Sequence, residues 1–92
     1  MRIQWRVTEG EHFAASVDEL DPRFTRLSDV LAAAKTTLRR DPYGPGTEVY
    51  LDDRHGVFSA DVESDGFTAH IFYTVDHSRW LVQMEWIALR PV

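Results

Sequence analysis

Ninety-two residues without cysteine describe a single domain, residues 1–92, with one modest hydrophobic core, no disulfide, no thiolate metal site and no thiol nucleophile. Fifteen acidic residues against ten basic ones leave a net charge of −5, which argues against broad nucleic-acid binding, since that draws much of its affinity from Lys and Arg neutralising phosphates. No stretch approaches the about 20 apolar residues that span a bilayer, and Met-Arg-Ile-Gln-Trp-Arg lacks the apolar run of a signal peptide, so a cytoplasmic domain with no membrane partner is expected.

Ile3, Trp5 and Val7 alternate with Gln4 and Arg6, which predicts a short strand over Ile3–Val7. Thr8-Glu9-Gly10-Glu11 fits a capping box, with Thr8 bonding forward and Glu11 back to the free amides of a helix start. Phe13, Val17 and Leu20 carry that helix to about Leu20, with His12 at its surface. Asp21-Pro22 then reads as N-cap and first helical residue of a longer second helix. Its apolar stripe is Phe24, Leu27, Leu31, Ala34 and Leu38. Asp41-Pro42 closes it, because a residue before proline is pushed out of the α region. The tandem Arg39-Arg40 just before suits the negative end of the helix dipole.

Tyr43-Gly44-Pro45-Gly46 is a loop by composition, and beyond it the apolar period changes from helical to extended. Glu48–Leu51 is a short strand, followed by a solvated Asp52-Asp53-Arg54-His55 loop. Gly56–Glu63 sets Phe58, Ala60 and Val62 against Ser59, Asp61 and Glu63, and Ser64-Asp65-Gly66 is a hairpin turn. Phe67–Val75 returns with Phe67, Ala69, Ile71, Tyr73 and Val75 on the apolar face and Thr68, His70, Phe72 and Thr74 opposite. Asp76-His77-Ser78 reads as turn chemistry, because a catalytic triad is recognised by spatial geometry and not by adjacent letters. Arg79–Leu89 is the last strand, with Val82, Met84, Trp86 and Ala88 opposing Leu81, Gln83, Glu85 and Ile87.

A short N-terminal strand, a helical hairpin and three to four further strands specify an α+β fold, the hairpin packed on one face of a twisted antiparallel sheet. The first strand should join beside a later one, having nothing else to pair with. This element order resembles the RelE/ParE toxin superfamily of type II toxin–antitoxin pairs over nearly the whole chain. The residues that carry the likeness are Leu20-Asp21-Pro22, Leu38-Arg39-Arg40-Asp41-Pro42, Gly56-Val57-Phe58, His70-Ile71-Phe72-Tyr73 and Ile87-Ala88-Leu89-Arg90.

The resemblance implies a toxin with an antitoxin partner. In that family's ribosome-dependent ribonucleases, basic side chains on the open sheet face hold the message and stabilise the charge that develops at the scissile phosphate, without a metal. Carried over residue by residue, it implies an endoribonuclease with His70 as general acid/base, Arg90 as phosphate ligand, and Arg79 and Tyr73 assisting; it implies no cofactor and no metal. The chain departs from the family at His70, which stands three residues before Tyr73 where the family often has an arginine two residues before an apolar residue and tyrosine. It departs again at Asp61 and Glu63, which replace a pair of basic residues. Carboxylates there repel phosphate, so RNA and the ribosome are disfavoured partners and the nuclease set is degenerate.

Other readings of the same residues stay open. His70 with Asp61 and Glu63 suits an acid/base pair, a weak metal site or a plain polar face. The last strand is apolar on both sides near its ends, more than one core-facing side requires, which points to a protein partner: an antitoxin helix or a second copy. A non-enzymatic interaction module using the sheet face or edge is therefore the alternative function. An acidic mimic of nucleic acid, which would need its charges on one surface, is a third. Trp5, Trp80 and Trp86 read as core or interface residues, since base stacking without surrounding cations is weak.

Overall fold

Strand β1 (Arg6–Glu9) leads into helix α1 (Glu11–Leu20) and helix α2 (Leu27–Arg40), and strands β2 (Thr47–Tyr50), β3 (His55–Val62), β4 (Phe67–Asp76) and β5 (Leu81–Pro91) follow. The computed structural model describes residues 4–20, 23–24, 26–43, 47–50, 54–62 and 66–91. The sheet is five-stranded in the order β1-β5-β4-β3-β2. Strands β2 to β5 form an antiparallel meander, and β1 lies parallel to β5. This is an α+β fold with both helices on one face. Phe13 of α1 and Leu27, Val30, Ala34 and Leu38 of α2 share one core with Phe58, with Phe67, Ala69, Ile71, Tyr73 and Val75 of β4, and with Val82, Met84 and Ile87 of β5.

The capping box does not form. Thr8 pairs with Gln83 and Glu9 with Met84, so sheet pairing takes the residues that would have capped α1. Gly10 caps the helix instead, its carbonyl accepting from the Ala14 amide at 2.9 Å while its own amide donates to the Met84 carbonyl at 2.8 Å. A side chain at position 10 would press within 2.9 Å of Glu85 Oε2 and 3.2 Å of the Met84 carbonyl, which explains why the tight passage from β1 to α1 carries glycine.

Helix α2 also begins later than its expected Asp21-Pro22 start, which lies outside the described residues. Its N-cap is Arg26, without a side-chain cap bond. The preceding Phe24 belongs to a turn closed by the Leu27 amide on the Phe24 carbonyl at 3.1 Å, and its ring meets Phe67 edge to face at 4.9 Å. The far end is as Pro42 requires: Asp41 is extended at φ −163° and ψ 108°.

Strand β5 holds the largest departure from simple alternation. Tyr73 faces Met84 but Phe72 faces Trp86, so Glu85 is an extra residue in β5, a β-bulge. Beyond it every side chain changes face. Ile87 turns into the core with Leu89 packed against it, and Trp86, Ala88 and Arg90 turn to the opposite, outer face. The expected grouping of Trp86 and Ala88 with Val82 and Met84 is thereby corrected. The sequence hides the slip because both sets are largely apolar.

The β4–β5 turn is tied by one carboxylate. Asp76 Oδ1 accepts from the Ser78 hydroxyl at 2.7 Å, the Ser78 amide at 3.1 Å and the Arg79 amide at 3.3 Å. These bonds, the Ser78 hydroxyl first, hold the Asp76 carboxyl below its ordinary value of 3.8. A depressed folded-state value means the charged form stabilises the turn above the ordinary value, and that contribution fades as pH falls through the lowered one. In urea denaturation from about pH 6 downward, the stability gap between wild type and Asp76→Asn should therefore stay constant to about pH 5 and change only below the ordinary carboxylate range. A gap that is flat down to the acid limit of folding would show that these bonds contribute nothing.

Candidate functional site

The registers of β3, β4 and β5 set out the outer face in rows. Asp61, Thr68 and Arg90 make one; Ser59, His70 and Ala88 the next; then Val57, Phe72 and Trp86; then His55, Thr74 and Gln83. His70 and Arg90 are thus diagonal neighbours on one face, and it is the bulge at Glu85 that brings Arg90 there. Ser59 Oγ and His70 Nδ1 share a hydrogen bond of 2.8 Å, which orients the imidazole and leaves Nε2 as its second functional nitrogen. Thr68 donates its hydroxyl to Asp61 Oδ1 at 2.7 Å, so the threonine stands between this carboxylate and Arg90. Glu63 lies outside the described residues. Among the described residues no three His, Asp or Glu side chains are grouped to hold a metal ion.

The other two expected site residues are elsewhere. Tyr73 is 1% exposed on the core face, with Gly56 opposite it, and its hydroxyl donates to the Pro42 carbonyl. The alternation that puts His70 outside puts Tyr73 inside. Arg79, expected as the first residue of the last strand, sits in the β4–β5 turn at the end of the sheet away from Arg90. The structure unites His70 with Arg90 and keeps Tyr73 and Arg79 apart from them.

Two arrangements escaped the linear reading. The first is an apolar row on the outer face. Trp86 is 51% exposed, its indole stacked at 4.3 Å and 20° on His12 from α1, beside Phe72 and the buried Val57. The second lies at the β4–β5 turn. Trp5 contacts Trp80 at 4.7 Å, His77 at 5.6 Å and Tyr43 at 6.5 Å. Trp80 holds the left-handed conformation at φ 50°, which costs a bulky residue about 1–2 kcal/mol. The Trp5 contact and the bond from the Arg6 amide to the Trp80 carbonyl at 2.9 Å keep it there.

Beside this cluster an open groove of about 640 Å³ is lined by Arg54, His55, Thr74, Asp76, His77 and Ser78. The Asp76-x-Ser78 turn is legible in the sequence, but only tertiary packing brings Tyr43 to His77 and sets Arg54 and His77 along one groove. No helix among the described residues is long and apolar enough to cross a membrane. No protein-family model, no curated protein and no solved structure matches this chain.

Proposed function

We propose that this chain is a diverged RelE/ParE-type toxin that acts in the cytoplasm with an antitoxin partner, its RNA-cleaving centre being His70 and Arg90 on the outer sheet face. The observation that carries the reading is the β5 bulge, which sets the arginine on the histidine's face. Metal-independent cleavage of a phosphodiester needs a proton-transfer group and a fixed cation within reach of one phosphate. A Ser59-oriented imidazole and a diagonal guanidinium provide the two. Asp61 opposes phosphate binding, so the centre is weak and Asp61→Asn strengthens it.

Inducible expression in bacteria tests the reading. Wild type arrests growth, and His70→Ala and Arg90→Ala each relieve the arrest, with cleavage falling about 10²- to 10⁴-fold for the histidine variant. A wild type that leaves growth unchanged sinks the toxin reading, and arrest undiminished in both variants sinks the assignment of the centre to His70 and Arg90. The first result would favour the non-enzymatic interaction module, for which the exposed Trp86 in its apolar row is the supporting observation.

A further inference from the structure

The strongest unassigned arrangement is the groove at the β4–β5 turn together with the rings beside it. Tyr43 and His77 are 11° from parallel with centroids 5.6 Å apart, and Tyr43 Oη lies 2.5 Å from His77 Nε2. Planes that close to parallel, joined by so short a contact, cannot be stacked at van der Waals separation. The two rings therefore lie side by side as one broad plate, with the Trp5 ring standing 83° and 76° to them. Tyr43 is 39% exposed and Trp80 44% exposed, so the cluster shows aromatic surface to solvent.

His77 also lines the groove, with Arg54 and His55 at the start of β3 and with Thr74 and Ser78, whose hydroxyls donate to Glu85 and Asp76. The Val75 amide donates to the Arg54 carbonyl at 2.7 Å, which fixes that arginine's backbone against β4. Among the described residues Asp76 is the acidic one in the lining, and its Oδ1 is already engaged by the turn. More cations stand around the cluster. Arg6 and Arg39 bond Trp80 and Trp5 through their backbones, Arg79 is in the turn, and all three side chains are exposed. The ion pairs among the described residues engage Arg26 and Lys35, not these three.

We infer that this groove binds a nucleotide, the base lying against the aromatic cluster of Tyr43, His77 and Trp80 and the phosphate meeting Arg54 and His55. Aromatic faces take any base by stacking, guanidinium and imidazole groups pair with phosphate oxygens, and the groove's size is that of small-molecule sites. A net charge of −5 does not oppose this, because the field that matters is local. The site is separated from His70 by the Phe72 row and stands whether or not the outer face cleaves RNA.

The test is calorimetric titration of the full chain with AMP, adenosine and inorganic phosphate, alongside tryptophan fluorescence and NMR of the indole and imidazole signals. AMP should saturate with a Kd at or below about 1 mM, quench fluorescence and shift Trp80 and His77 signals. Adenosine and phosphate alone should bind at least about tenfold more weakly, and Arg54→Gln and His77→Ala should each weaken AMP about tenfold or more. Single-stranded oligoadenylate binding about tenfold tighter than AMP identifies a nucleotide within a strand as the natural ligand, and equal affinity identifies a free nucleotide. Absence of saturable AMP binding overturns the inference. So do AMP-induced shifts confined to Trp86 and His70, or wild-type affinity in a folded Arg54→Gln variant. Growth arrest without AMP binding would remove this site and leave the toxin reading; AMP binding without arrest would do the reverse.

Discussion

Phe13→Ala should be the most damaging single truncation in the chain, costing about 3–5 kcal/mol. Phe13 is 0% exposed, and it is the one fully buried residue of α1. Val17 and Leu20 lie only partly buried at the edge of the core. The helix starts where β1 stops pairing with β5, at Glu9 opposite Met84, so its attachment to the sheet depends on this ring. A cavity there cannot be closed by a neighbouring helix residue, because Ala14 and Ala15 have nothing to extend into it. For a domain of this size each kcal/mol moves the midpoint about 4–8 °C, so thermal unfolding should fall by about 12 °C or more. A shift under about 5 °C would mean that α1 is held by its backbone contacts with β5 instead.

Gly56→Ala should cost about 1–3 kcal/mol although it adds one methyl group. The added Cβ would lie 2.5 Å from the Tyr73 ring carbon Cζ and 2.5 Å from its hydroxyl oxygen. The ring cannot swing away cheaply. It is buried, paired across the strands with Gly56, and pinned by its hydroxyl to the Pro42 carbonyl just beyond α2. A double-mutant cycle isolates the clash. In a Tyr73→Leu background, itself destabilised, the further cost of Gly56→Ala should shrink to about 0.5 kcal/mol or less. An equal penalty in both backgrounds would trace the effect to strand backbone and not to the ring.

The sequence exposed most of the architecture because its clearest periods coincide with its elements. In β4 the strict alternation from Phe67 to Val75 matches the observed burial at every position. The extended conformation of Asp41 follows from a single proline. Local rules failed where a long-range partner competed for the same residues. Thr8 was fit to cap a helix and was taken by Gln83.

The candidate site suffered the same way. The alternation of β4 alone puts His70 on the outer face, whereas Arg90 reaches that face only through an insertion at Glu85, which no apolar pattern marks when Trp86 and Ile87 are both hydrophobic. The alternation that assigns His70 to the outside assigns Tyr73 to the core, so Tyr73 belongs to the packing and not to the outer face.

The parallel pairing of β1 with β5 joins residues 6–9 to residues 81–84. Such a closure is slow, since the whole intervening chain must be ordered before the contact rewards it. On the ribosome, residue 84 must have left the exit tunnel before the first strand has anywhere to dock. The helical hairpin is made long before that, and its apolar stripe has no sheet to lie on until β4 and β5 follow. During synthesis this protein therefore passes through a stage with both helical segments made and their apolar stripe still uncovered, the interval in which a chaperone would meet it.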